Sequence, residues 1–202
     1  SKPNGTIMRL FAGLGNPGSA YAMNRHNVGF MAVDYVAKRH GFVPWKKKGQ
    51  VLISNGKIGS EKVILIKPQS FMNLSGMPIA NIVHFYKINP NDVFVMHDEL
   101  DLAAGKVRVK TGGGHGGHNG LRDIDRHLGV NYWRVRIGIG RPAHEAMDVK
   151  AWVLADFGFD EQSGWLFDML NAIADEAERL CKHDDSGFMS RVAYLSPAPI
   201  TE

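Results

Sequence analysis

The chain is short of cysteine: Cys181 stands alone in 202 residues. One thiol closes no internal disulfide, so the core must hold the fold, as expected in a reducing compartment. Nine methionines fit the same setting. No run approaches the roughly 18 apolar residues of a membrane-spanning helix, which argues against a helical membrane protein. Ser1 to Thr6 carry Lys, Pro, Asn and Gly but no apolar stretch, so no secretory signal is visible and the segment reads as a flexible extension. A cytoplasmic location is the expectation. Neither CxxC nor HExxH occurs, so no spacing typical of a metal site is present, and no GxSxG elbow offers a serine nucleophile. Internal repeats and low-complexity linkers are absent too. Residues 1–202 are therefore expected to form one domain with one core.

Charge is plentiful but unevenly placed. Residues 1–102 hold 12 Lys and Arg against 6 Asp and Glu, and residues 103–141 hold 8 against 2. Residues 142–202 reverse the sign, with 4 against 12. Such polarity is what a polyanion-binding face opposite a neutral or acidic back would produce, the alternative being charges scattered evenly around the fold.

Periodicity gives the elements. Met8 to Leu14 reads as a strand ending in a turn at Gly15-Asn16-Pro17-Gly18. Val28, Met31, Ala32, Tyr35 and Val36 recur at helical spacing over 27–40, and Gly41 stops that helix. Val51 to Ile58 and Lys62 to Lys67 read as paired strands around Gly59-Ser60. Ser75 is a candidate N-cap for a helix through Tyr86. Val93 to Met96 has the unbroken apolar character of a buried central strand. Lys106 to Lys110 alternates basic and apolar residues, so one face should be wet and positive. A short helix is expected over 121–128, a strand over 133–139, one long helix over 160–182 and a final helix over 186–194. Strands interleaved with helices predict an α/β fold. Its expected form is a three-layer α/β/α sandwich around a mixed, mostly parallel twisted sheet.

Five segments carry residues suited to chemistry. Gly13 to Gly18 matches the dinucleotide fingerprint GxGxxG, yet Pro17-Gly18 makes a turn where a Rossmann helix would open, and no acid ends the next strand. The turn instead offers the Asn16 amide at the carboxyl end of a strand, where α/β proteins place ligands. His26, at the entrance of the first helix, reads as a cap or surface residue by itself, and as a proton acceptor if a carboxylate meets it. Asp98, directly after the buried strand, is the candidate partner: it can hold an imidazole in one tautomer. Asp98, Glu99 and Asp101 could alternatively bind a divalent cation or merely solvate a loop. Lys110 to Gly120 places six glycines among the nine residues 112–120. The loop feeds a helix N-terminus that favours anions, though glycine-rich loops can also be simply flexible. Lys106, Arg108, Lys110, Arg122, Arg126, Arg134 and Arg136 flank it as candidate phosphate contacts. Phe71, ahead of Met72 and Asn73, suits either base stacking or burial.

Taken together, GLGNPG at 13–18, RHN at 25–27, FMNLSG at 71–76, HDELD at 97–101, GGGHGGHNG at 112–120 and RIGIGRP at 136–142 resemble the bacterial peptidyl-tRNA hydrolase family. They span nearly the first three quarters of the chain. The resemblance implies hydrolysis of the ester between peptide and tRNA, with His26 as general base, Asp98 holding it, and Asn16 sensing the peptide amide. It implies that Asn73 and Asn119 bind the tRNA end and peptide backbone, and that Tyr21, Phe71 and Met72 line the cleft. His118 would shape the rim near the peptide, while Lys110 and Arg136 would clamp the tRNA 5′-phosphate. It further implies a monomer that needs no metal or other cofactor, with peptidyl-tRNA as its partner and no membrane. Three rivals remain at this point: a non-catalytic RNA-binding protein on the same fold, a metal-dependent phosphoesterase, and a nicotinamide-binding protein.

Overall fold

The computed structural model describes residues 7–200; the expected N-terminal extension, residues 1–6, lies outside them. Seven strands form one sheet: β1 (Met8–Gly13), β2 (Lys46–Lys48), β3 (Val51–Ile58), β4 (Glu61–Pro68), β5 (Val93–Glu99), β6 (Val107–Thr111) and β7 (Trp133–Gly138). Their order is β2-β3-β4-β1-β5-β7-β6. β4, β1, β5 and β7 run parallel at the centre, and antiparallel pairs add β3 and β2 on one edge and β6 on the other. The helices are α1 (Val28–Arg39), α2 (Gly76–Phe85), α3 (Asn119–Leu128), α4 (Val149–Val153), α5 (Phe159–Ser163), α6 (Trp165–Cys181) and α7 (Asp185–Leu195).

Alternation along the central strands builds two cores. Phe11, Phe94, Met96 and Val135 pack with α1, α6 and α7 on one face. Leu10, Ala12, Val93 and Val95 pack with α2 and α3 on the other. Central strands are thus apolar on both faces, which is why β1 and β5 read as continuous apolar runs. Each large side chain sealed this way contributes about 1.5–3 kcal/mol. The three-layer α/β/α expectation holds.

Helices α1 and α2 lie on opposite faces, so the chain leaves β1 towards one layer and enters β5 from the other. That divergence opens a crevice at the carboxyl ends of β1 and β5, the usual ligand position in such sheets. The approach of α1 is close: a Cβ on Gly13 would meet the Gly29 carbonyl, and one on Gly29 would meet the Met96 carbonyl. This accounts for the glycine at 13 without a dinucleotide. The helix after the 13–18 turn opens at Val28, not within the glycines, so a dinucleotide loop is not formed.

Several expectations are corrected. The long helix over 160–182 is two helices, α5 and α6, broken at Gly164, whose φ of −112° and ψ of −116° leave the helical region. Ser75 precedes α2 but does not cap it: its hydroxyl donates to the Met72 carbonyl, 2.6 Å away. The cap comes from α3, where Asp123 Oδ2 accepts from the Gly76 N–H at 2.7 Å. Arg134, expected among the phosphate contacts, is wholly buried. It donates to the Gly114 and Gly113 carbonyls at 2.8 and 3.0 Å and to Asp125 at 3.1 Å. Its charge anchors the glycine-rich loop from below, and the planar fork of a guanidinium suits that triple task.

Candidate active site

The Asn16 turn, the turn Arg25–Asn27, the end of β5 and the loop before α3 converge on a cleft of about 670 Å³. Asn16, His26, Phe71, Met72, Asn73, Asp98, His118 and Asn119 line it, so eight of the expected site residues meet there.

Asp98 is the hub. It is 3% exposed. Its Oδ2 lies 2.7 Å from His26 Nδ1 and its Oδ1 lies 2.7 Å from His118 Nε2. Burial alone would raise its pKa, but the two imidazoles outweigh burial and hold it well below the usual carboxylate range. Asp98 is therefore an acceptor at both oxygens, and the histidines must donate. For His118 the tautomer is fixed twice, because its Nδ1 accepts from the Gly120 and Leu121 N–H groups at 3.1 and 3.2 Å. His118 thus caps α3 and carries its proton on Nε2. His118 lines the cleft and is also bound to Asp98; one correction follows, because it occupies N–H groups at the helix start that were expected to favour an anion.

His26 donates Nδ1–H to Asp98, which leaves its Nε2 lone pair without a protein partner among the described residues, in a side chain that lines the cleft. Burial opposes its protonation, yet the Asp98 charge and hydrogen bond prevail and raise its pKa above the ordinary histidine value. The turn that carries it is held from the acidic part of the chain. Arg25 stacks over Trp152 at 3.6 Å and donates to the Asp156 carbonyl at 3.2 Å and to Glu161 at 3.3 Å. Asn24 donates to Asp156 at 2.7 Å.

Asn16 is equally constrained. Its backbone N–H and carbonyl pair with the Asn27 side chain at 2.9 and 3.0 Å, and its Oδ1 accepts from the Met72 N–H at 2.7 Å. What remains is Nδ2, a donor without a protein partner among the described residues. Asn16 can therefore offer an N–H to a carbonyl in the cleft.

Tyr21 does not line the cleft, but meets Phe71 edge to face at 6.5 Å. Phe71 is 57% exposed, so burial is excluded for it. Asn73 and Asn119 are exposed and also border a second hollow of about 280 Å³ beside Arg122 and Arg126. Lys106, just before β6, and Arg108 and Lys110 on it stand exposed, while Val107 and Val109 face inward, the predicted wet and positive face. Arg136 is committed through Nε to Glu99 at 2.9 Å, with its two terminal nitrogens free of protein partners among the described residues.

The carboxylates do not assemble as an oxygen cage. Asp98 binds two imidazoles, Glu99 binds Arg136 and Asp101 binds Arg141 at 2.7 Å. His26, Asp98 and His118 do place donor atoms within 4.8 Å of one another, but the nitrogens facing Asp98 carry protons, and a cation would have to displace both. Sequence reasoning missed the far wall, where Val149 and Lys150 of α4, Val153 and Leu154 line the cleft. Asp148 ahead of α4, which accepts from the Lys150 N–H at 3.3 Å, was a readable cap.

A buried carboxylate that orients an imidazole towards an open cleft, on a doubly covered α/β sheet, is an arrangement suited to a hydrolase that activates water. Comparison with known proteins narrows this. The family profile described as peptidyl-tRNA hydrolase matches residues 10–199. A peptidyl-tRNA hydrolase of Cereibacter sphaeroides is 53% identical over 195 residues, covering 96% of this chain and 86% of the relative. One from Mesorhizobium japonicum is 56% identical over 186 residues, covering 92% and 77%. The crystal structure of peptidyl-tRNA hydrolase from Acinetobacter baumannii superposes with a TM-score of 0.86 at 38% identity, covering 96% of this chain and 98% of that one. The chain belongs to the peptidyl-tRNA hydrolase family.

Proposed function

We propose that the chain hydrolyses the ester joining a peptide, or an N-acylated amino acid, to the 3′ end of tRNA, by direct attack of water. The observation that carries this reading is the 2.7 Å contact of His26 Nδ1 with Asp98, which leaves Nε2 as a basic nitrogen offered to the cleft. His26 Nε2 takes a proton from water as the oxygen attacks the ester carbonyl. Asp98 stabilises the imidazolium, which then returns the proton to the departing ribose oxygen. The Asn16 amide donates to a carbonyl of the substrate, so a peptide bond is read where a free amine would offer no acceptor. Asn73 and Asn119 hold the tRNA end and peptide backbone, and Phe71 gives a face on which a base stacks. Met72 and Tyr21 shape that wall. His118 keeps Asp98 in place. Lys110 and the free nitrogens of Arg136 meet the phosphates of the tRNA end, with Arg122 and Arg126 lining a parallel path.

On this reading no metal or other cofactor takes part, and the protein acts as a cytoplasmic monomer. No helix among the described residues is long and apolar enough to cross a membrane. The test is His26→Ala. Turnover of N-acetyl-aminoacyl-tRNA is expected to fall at least ~10²-fold, the usual worth of a general base, while the melting temperature and tRNA affinity stay near wild type. Hydrolysis by that variant at the wild-type rate would end the assignment. Wild type should also leave free aminoacyl-tRNA intact; equal cleavage of both would remove the amide-reading role of Asn16.

A further inference from the structure

His97 is the histidine beside the cleft that this chemistry does not use. It precedes Asp98 on β5, is 1% exposed, and turns to the α3 side of the sheet. Its Nδ1 donates to the Asp98 carbonyl at 2.8 Å. That bond fixes its proton on Nδ1 and leaves Nε2 buried with no hydrogen-bond partner among the described residues. Its ring meets the His118 ring edge to face, with centroids 5.2 Å apart and an angle of 73°. His97 therefore touches both the backbone of Asp98 and the imidazole that holds the Asp98 side chain.

An unpaired buried acceptor costs stability, and an apolar side chain of similar size would remove that cost. The position also forbids charge. The ionisable groups facing His97 are Asp98, His118 and, from β7, Arg134. Burial first, and the neighbouring His118 next, push its pKa down to about 3, so the ring stays neutral. A cationic ring here would compete with His26 for the Asp98 charge. A neutral donor aimed at the Asp98 carbonyl does not, and it acts where β5 is about to end, one residue further on, at Glu99.

We propose that His97 is a positioning residue for the hydrolysis: its bond to the Asp98 carbonyl and its packing beneath His118 hold the carboxylate that orients His26. The inference rests on His26 being the general base, and it adds a layer below the Asp98 hub that acts without touching substrate.

Two substitutions separate positioning from mere filling. The amide nitrogen of His97→Asn can occupy the place of Nδ1 and keep the bond to Asp98. His97→Gln reaches the Nε2 position and leaves that carbonyl without its donor. With N-acetyl-aminoacyl-tRNA, the Gln protein is expected to lose about 10- to 100-fold in kcat, as misplacements near 1 Å do, with KM within about twofold. The acid limb of its kcat/KM profile should move to lower pH, because a loosened Asp98 no longer raises His26 as far. The Asn protein should recover both the rate and the limb. Where the Gln protein is too unstable to assay, His97→Phe fills the volume without a donor and makes the same comparison. Wild-type kcat and an unmoved limb in a folded Gln or Phe protein would overturn the proposal. So would Asn and Gln proteins that lose activity in step with melting temperature while the limb stays fixed. Failure of the general-base reading is separable, since it would show as hydrolysis surviving His26→Ala.

Discussion

Strand β5 has a histidine and an aspartate in contact at each of its ends, and the pair at the carboxyl end lines the cleft. At the carboxyl end, Asp98 meets His26 at 2.7 Å with hydrogen-bond geometry. At the amino end, Asp92 lies 3.3 Å from His183 Nε2, without a hydrogen bond to it, and 3.1 Å from Arg9 Nε. Arg9 also donates to the Cys181 carbonyl at 3.0 Å, and His183 stacks on Trp133 at 5.7 Å. That second cluster ties the start of β1 and β5 to the end of α6. Its carboxylate answers to a guanidinium, and its imidazole is wedged among aromatic rings. The lesson is that a His–Asp contact is not a site by itself. What distinguishes the Asp98 end is that both carboxylate oxygens are spent on imidazole donors, so that one nitrogen of His26 is left basic and open.

The sharpest way to break this contrast is to neutralise each aspartate. Asp98→Asn has a single acceptor oxygen for two N–H donors, so one imidazole must change tautomer. Turnover is expected to fall on the order of 10³–10⁴-fold, as when a triad aspartate is amidated. Asp92→Asn should leave kcat within about twofold and lower stability by about 1–3 kcal/mol, the usual range for a lost buried polar partner. Steady-state kinetics and denaturant titration on the two variants check this together. Equal kinetic losses would erase the distinction between the ends.

A smaller effect is expected on the substrate's polyanionic part. Lys110→Ala should weaken tRNA binding and reduce the slope of log Kd against log salt by about one, as for one lost phosphate contact. Arg134, buried under the loop, should instead register as stability when substituted. An unchanged salt slope for Lys110→Ala would take that lysine off the phosphate path.

Much of this was legible in the sequence because it depends on local pattern. The apolar runs of β1 and β5, the turn at Asn16 and the carboxylate after a buried strand announce a crevice between two central strands. What stayed hidden depends on partners far along the chain. Nothing near Arg134 distinguishes it from Arg136, yet Asp125 and two glycine carbonyls draw the first wholly inside. For His118, the bond to Asp98 leaves no local pattern, because it needs α3 and β5 side by side. The pattern over 160–182 had one apolar face, so the break at Gly164 left no mark on the periodicity. His97 carries no local signal beyond its place in HDELD, since its significance lies in burial and an unpaired nitrogen.

General-base action by His26 requires the proton on Nδ1 and a bare Nε2, and heteronuclear NMR of the imidazole across pH reports this directly. Above its titration midpoint, the prediction is a neutral ring protonated on Nδ1 with a bare Nε2. Its titration midpoint should lie above the ordinary value near 6.5, because Asp98 raises it. The same midpoint should appear as the acid limb of kcat/KM, with activity rising as the proton leaves. A ring protonated on Nε2, or one that titrates below the ordinary histidine value, would contradict it.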